Sequence, residues 1–306
     1  MLSSDARTLR LYLRQAVELG RAELFTGYVA WQQSVATSRG QGTAETRATL
    51  QHLLSEARKD GARAQEALIL DGLESLGAPT LEPETFLEAE RPHGALAQRY
   101  LDLLLEGDRR AAAQCIAEAA ERTPLRALYL DVFQPVQWEM GRLWELNRVT
   151  VAQEHYVTAA TQLIMSQLYP RLFERPRTGR RIVVTCVAGD LHELAPRIVA
   201  DFFEMEGWDS FYLGANTPHG AVVDTIARRQ VDALAVSATM AAQVPDLRAL
   251  VALVRATDHT RRVPVLVGGA TFNRHPDLWR SVGADGTAVD AVDAVVVAER
   301  LLLARS

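Results

Sequence analysis

The sequence predicts an α and α/β architecture: helices through the first 173 residues, then a five-stranded parallel sheet with helices on both faces. Two observations predict it. Up to Phe173 apolar residues recur at mixed three- and four-residue spacing, interrupted only by short breaks, which is the periodicity of helices with one buried face. After Gly179 short apolar, β-branched runs alternate with helical stretches five times, the pattern of a parallel sheet.

Residues 5 to about 75 read as helices. LRLYLRQAVELGRAELFTGYVAWQQSVA carries the helical spacing, SRGQGT breaks it at 38–43, and a second helical run continues to Leu76. Pro79, Pro83 and Pro92 then fall within one short stretch, which marks a boundary. Residues 1–76 are therefore a helical region of their own, with no role that the sequence assigns. A second helical block covers 90–175, with breaks at Gly107-Asp108, Arg122-Thr123-Pro124 and Asn147-Arg148-Val149. Such short connections favour antiparallel neighbours, so this block is expected to be a four-helix bundle.

The domain from 180 to 306 supplies the strands. RIVVTCV (181–187), DSFYLG, DALAVS, VPVLVG and GTAVD are each followed by a helical stretch, the fourth a short one near His275 and the last ending about Leu303. Ligands of such sheets bind at the carboxyl ends of the strands. The architecture alone names no function, because it hosts many.

Bulk properties narrow the field. A chain of 306 residues can bury two cores. With 48% hydrophobic and 23% charged residues it reads as globular. No run of apolar residues is long enough to span a membrane, and MLSSDARTLRLYLR lacks the pattern of a secretory leader. Cys115 and Cys186 are too few for a disulfide framework or a thiolate zinc site, so a cytoplasmic location is expected. A net charge of -5 gives no general attraction for nucleic acid. The arginine run at 175, 177, 180 and 181 flanks Pro176 and Gly179 and reads as a solvated linker.

The chemistry lies at the strand ends. The first strand runs into Gly189-Asp190-Leu191-His192, the third ends in Ser237-Ala238-Thr239, and the fourth ends in Gly268-Gly269. A histidine with a carboxylate two residues before it fits a metal ligand and the partner that fixes its tautomer. Paired glycines allow a bulky ligand close to the backbone, and a serine and a threonine can bond its polar edges. Asp-x-His alone is more often a satisfied loop pair than a metal site. The ordered set, with forty-one residues (196–236) between Ala195 and Ser237 and twenty-eight (240–267) between Thr239 and Gly268, is far more specific.

That set resembles the cobalamin-binding modules of the methionine synthase and methylmalonyl-CoA mutase type, which carry Asp-x-His-x-x-Gly, Ser-x-Leu or Ser-x-Thr, and Gly-Gly. The resemblance implies a flavodoxin-like, Rossmann-like cobalamin-binding domain over 180–306, with His192 as the lower axial ligand of cobalt. It also implies Asp190 as the histidine's partner, and Ser237, Thr239, Gly268 and Gly269 along the displaced nucleotide tail. Leu213-Gly214-Ala215-Asn216-Thr217-Pro218 also looks like the family. One position departs: the motif's last glycine is Ala195, whose methyl could crowd the tail.

The helical block carries a second motif: Trp144, nine residues, then Glu154-His155. Thr150-Val151-Ala152-Gln153 is a capping box, so a helix begins there. Trp144 then ends one helix while Glu154 and His155 sit at the start of the next. This spacing resembles the cobalamin-dependent photoreceptors, which pair a methionine-synthase-like helical cap with a cobalamin module. The resemblance covers about 90–306 and implies a light sensor, not an enzyme. Adenosylcobalamin is the implied cofactor, with methylcobalamin or hydroxocobalamin as alternatives. Trp144, Glu154 and His155 become its adenosyl contacts, and light-driven loss of the adenosyl group changes conformation or assembly. Two departures accompany it. Residues 1–76 show no helix-turn-helix with a basic recognition helix, so no specific DNA binding is expected; the output is an unidentified protein partner or self-association. Glu145 stands where some relatives place a histidine that binds cobalt after photolysis. The competing reading is a corrinoid shuttle protein of a methyltransferase system. A mutase is disfavoured, because no substrate-binding barrel is present.

Overall fold

The computed structural model describes residues 4–78 and 82–304; Pro79, one of the boundary prolines, lies outside them. The chain packs as two compact units, Met1–Arg122 with Leu130–Thr161, and Thr123–Tyr129 with Gln162–Ser306.

The first unit opens with α1 (Ser4–Leu19), α2 (Ala22–Ser38), α3 (Ala44–Lys59) and α4 (Arg63–Ser75). The stretch that reads as one periodic run from Leu9 to Ala36 folds as two helices. The break is at Gly20, whose φ of 62° suits the left-handed residue that ends many helices. Leu9, Leu13, Phe25, Val29, Leu50, Leu53 and Ile69 are buried and form the apolar interior of these helices.

Further helices follow: α5 (Gly94–Leu105), α6 (Arg109–Ala120), α7 (Leu125–Ala127), α8 (Gln134–Glu145) and α9 (Val151–Leu168); α7 and the part of α9 from Gln162 count with the second unit. Asp108 caps α6 by accepting from Ala111 N at 2.9 Å. α7 passes through a π-helical turn, Leu128–Phe133, directly into α8. Helical periodicity does not reveal such a turn. Ahead of α5 the chain is tied to α8: Phe86 N donates to Glu139 Oε2 at 2.9 Å. Arg142 pairs with Glu139 at 2.6 Å and also reaches Glu82.

The second unit holds β1 (Arg181–Cys186), α10 (Leu194–Met205), β2 (Asp209–Gly214), α11 (His219–Arg229), β3 (Ala233–Ser237), α12 (Val244–Ala256), β4 (Val265–Gly268), α13 (Ala270–Arg274), α14 (Leu278–Ser281), β5 (Gly286–Thr287) and α15 (Ala291–Leu303). The strands are parallel, in the order β2-β1-β3-β4-β5. This is the flavodoxin-like order, so the expected fold is the one found. Ile182, Val183 and Val184 are all buried, because helices cover both faces of a parallel sheet. GTAVD supplies only a two-residue strand; Asp290 instead caps α15, accepting from Asp293 N at 2.8 Å. The order in which strands are added reverses between β1 and β3, whose carboxyl ends form the crevice where such sheets bind ligands.

Candidate functional site

The segment after β1 is shaped by a few hydrogen bonds. Val187 N donates to Ser237 O at 2.9 Å, and Asp190 N turns back to Val187 O at 3.1 Å. Gly189 makes the turn with φ of 79°, a conformation that costs glycine little, and donates its N–H to Asn216 Oδ1 at 3.1 Å. Asp190 is fully buried at the centre. Its Oδ1 lies 2.7 Å from His192 Nδ1 and accepts from His192 N at 3.0 Å. Its Oδ2 accepts from Thr239 N at 2.8 Å. Burial alone would raise this carboxyl, but the bonds from the His192 ring, His192 N and Thr239 N outweigh it and hold it below its ordinary range.

A carboxylate at Nδ1 makes Nε2 the nitrogen suited to a metal. The His192 side chain is 61% exposed, and neighbouring Leu191 is exposed as well. Among the described residues no three His, Cys, Asp or Glu side chains gather to hold a bare ion. A single oriented imidazole fits a metal that arrives inside its own macrocycle, so the donor set here fits a corrinoid.

Ser237 and Thr239 lie at the end of β3, beside Gly268 and Gly269 at the end of β4. Ala238 N donates to Gly268 O at 3.0 Å. The chain itself requires glycine at 269 and leaves little room for a side chain at 268. A Cβ on Gly269 would stand 2.7 Å from Ala238 O and 2.9 Å from Ser237 Oγ, and one on Gly268 would stand 3.2 Å from Ala288 O. Gly269 also has φ 96° and ψ 174°, a region open in practice to glycine alone. Ala195 sits in the first turn of α10 and is exposed, so its methyl meets no crowding within the unit.

In the helical unit Trp144 stands at the tip of α8. That helix closes through Arg148 N to Leu143 O at 2.8 Å and Asn147 N to Trp144 O at 3.0 Å, with Asn147 left-handed at φ 56°, a Schellman closure. The Trp144 ring stacks on Trp31 of α2, centroids 6.3 Å apart, and the Arg39 guanidinium lies 4.7 Å over it. Glu154 and His155 are in the first turns of α9, which the Thr150–Gln153 box caps at 2.9 and 3.2 Å. Thr158 Oγ1 lies 2.9 Å from Glu154 Oε1 and 2.8 Å from Gln137 Oε1. His155 Nε2 is 3.4 Å from Glu154 Oε2 and its side chain is 75% exposed.

The structure therefore gathers Asp190, His192 and Thr239 into one bonded group, and Ser237 with Gly268 and Gly269 into another beside it. Glu154 and His155 pair with each other, while Trp144 packs with α2. Sequence reasoning missed Gln243, whose Oε1 accepts from Thr239 N at 3.1 Å and Met240 N at 3.0 Å; its position just ahead of α12 was the available signal. It also missed Tyr212, whose hydroxyl donates to Glu193 O at 2.8 Å and steadies the residue after His192.

Comparison with known proteins places the chain among B12-binding proteins. Residues 180–296 match one B12 binding domain family and residues 96–169 match a second. The HTH-type transcriptional repressor CarA of Myxococcus xanthus is 31% identical over 208 residues, 67% of this chain and 67% of that protein. Dimethylamine corrinoid protein 2 of Methanosarcina acetivorans is 28% identical over 169 residues, 55% of this chain and 75% of that protein. The solved structure of the Methanosarcina barkeri monomethylamine corrinoid protein shares the fold, with a TM-score of 0.59, 20% identity, and coverage of 67% of this chain and 98% of that one. The chain belongs to the family of B12-binding proteins that join a helical cap to a flavodoxin-like corrinoid-binding domain.

Proposed function

We propose that this chain is a cobalamin-dependent light sensor rather than an enzyme. His192 would ligate cobalt with Asp190 fixing its ring, and Ser237, Thr239, Gly268 and Gly269 would receive the nucleotide tail. Trp144, Glu154 and His155 of the helical cap would contact the adenosyl group. The observation that carries the reading is the Trp144–x9–Glu154-His155 motif, which puts an aromatic ring at the tip of α8 and a carboxylate–imidazole pair 3.4 Å apart at the start of α9. Likeness to a transcriptional repressor supports a regulatory role. Bound adenosylcobalamin would supply a cobalt–carbon bond that visible light breaks. The protein's part is positional: Asp190 keeps the proton on Nδ1, leaving Nε2 as ligand, and the Thr158 hydroxyl would donate to the Glu154 carboxylate, 2.9 Å away. Output would pass to a protein partner or to self-association, without specific DNA binding.

The second reading is a corrinoid shuttle protein of a methyltransferase system, favoured by the match over 75% of a dimethylamine corrinoid protein. Trp144→Ala separates the two. A sensor should keep its corrinoid but lose preference for adenosylcobalamin over methylcobalamin. A shuttle should bind both forms equally, with or without Trp144; that result overturns the proposal.

A further inference from the structure

Helices α1–α4 have an interior of their own, built on Leu9, Phe25, Val29, Leu50 and Ile69. Their grip on the last turn of α8 is additional to that core, and it is concentrated on three residues, Trp31, Ser38 and Arg39. Trp31 stacks on Trp144 at 6.3 Å and 23°, while Arg39 covers the Trp144 ring at 4.7 Å. Ser38 Oγ donates to Glu145 O at 2.6 Å, and Arg39 Nη2 donates to Trp144 O at 3.3 Å. The closing carbonyls of a helix lack intrahelical partners, and a guanidinium is favoured beside the negative end of its dipole. Ring and backbone of Trp144 are thus both held by α2. The stack continues inward: Trp31 lies 5.7 Å from Tyr28, and Tyr28 lies 4.0 Å from Tyr12 at 7°. Tyr12 is buried in α1. A row of four aromatic rings therefore leads from Trp144 into the N-terminal helices, and a shift of the first ring breaks a contact at its head.

We propose that Trp31 and Arg39 are positioning residues for Trp144, and that helices α1–α4 report, through this stack, what Trp144 touches. The inference rests on the reading of Trp144 as a contact of the upper ligand. Its chemistry is that of a two-state contact: the free energy that docks Trp144 on α2 opposes any rearrangement a ligand demands of that ring, so each biases the other.

Amide hydrogen exchange in the full chain tests it, read over residues 31–39. Four states are compared: without cobalamin, with hydroxocobalamin, with adenosylcobalamin in the dark, and after illumination. In the wild type, exchange over 31–39 should differ about three-fold or more between the adenosylcobalamin and hydroxocobalamin forms. In Trp31→Ala, and in Arg39→Ala, which leaves the aromatic packing of α1 and α2 alone, that difference should vanish while both cobalamins still bind. Equal exchange in the two wild-type forms, or a difference that survives both substitutions, overturns the proposal. If the two forms differ as expected but illumination leaves the absorption spectrum unchanged, the light-sensor reading fails and this inference stands.

Discussion

Replacement of Asp190 by alanine tests the site where fold and cofactor meet. The carboxylate accepts three hydrogen bonds at 2.7–3.0 Å, from His192 Nδ1, His192 N and Thr239 N, and is fully buried. Bonds to a charged acceptor contribute ~1.5–3 kcal/mol each, and an orphaned buried donor costs ~1–3 kcal/mol. Two offsets apply. Thr239 N keeps Gln243 Oε1 as a second acceptor, and the cost of burying the carboxylate disappears with it. We therefore expect Asp190→Ala to lose ~3 kcal/mol of stability in urea unfolding. Cobalamin affinity should fall ~10- to 100-fold, because the ring of His192 is no longer oriented. His192→Ala is the companion: the bonds from His192 N and Thr239 N to Asp190 remain, so only the ring's bond is lost, at ~1.5–3 kcal/mol, while ligation is lost. Titration with hydroxocobalamin, followed by absorption, reads the second effect. Were Asp190→Ala as stable as the wild type within ~0.5 kcal/mol and equally avid, the argument for a built ligand pair would be refuted.

Three further outcomes follow from other parts of the molecule. Burial pushes the Asp201 carboxyl up to about 6 despite the hydrogen bond it accepts from Tyr129 at 2.8 Å. The folded state thus binds this proton more tightly than the unfolded chain, so its contribution favours folding as pH falls from 7 towards 4 and is lost as pH rises through 6. Asp201→Asn should raise stability at pH 7 by up to ~3 kcal/mol and flatten that slope, seen in urea midpoints at pH 5 and 7; an unchanged slope would contradict it. Gly269→Ala should cost ~3 kcal/mol or prevent folding, since φ 96° and ψ 174° exclude a side chain; thermal melting checks this, and a wild-type midpoint would show that the β4 turn relaxes. Glu139→Ala should cost ~3 kcal/mol by taking the nearest carboxylate from buried Arg142, which keeps only its longer bonds to Glu82 and Pro83 O, and should speed proteolytic cleavage near Phe86, whose N–H loses its acceptor.

How much was legible depended on the distance over which each feature is determined. β1, β3 and β4 showed as apolar runs because strands buried on both faces need no alternation. Asp190 and His192 are two residues apart, and Thr150 and Gln153 three, so their pairing is local enough to read from spacing. Trp31 and Trp144 are 113 positions apart, and no periodicity connects them; the role of the N-terminal helices was hidden for that reason. The pair Gly268-Gly269 was noticed for the right loop but on partial grounds. Ligand approach was the expected reason, whereas Ala238 O and Ser237 Oγ already forbid a Cβ at Gly269. Ala195 looked like a crowding risk for the nucleotide tail in the linear motif; its exposed place in the first turn of α10 keeps the methyl clear of the sheet unit's own atoms. Gly20 splits one periodic run into two helices, a left-handed stop that periodicity alone does not display.

The most direct test of the light-sensor reading is the absorption spectrum of the purified chain with adenosylcobalamin, dark and illuminated, with light scattering on the same sample. The account predicts retention of adenosylcobalamin in the dark, a spectral change under visible light, and a change in mass or shape that Trp144→Ala blunts. A chain that prefers methylcobalamin, keeps its mass and shape under illumination, and accepts a methyl group from a partner enzyme would contradict it.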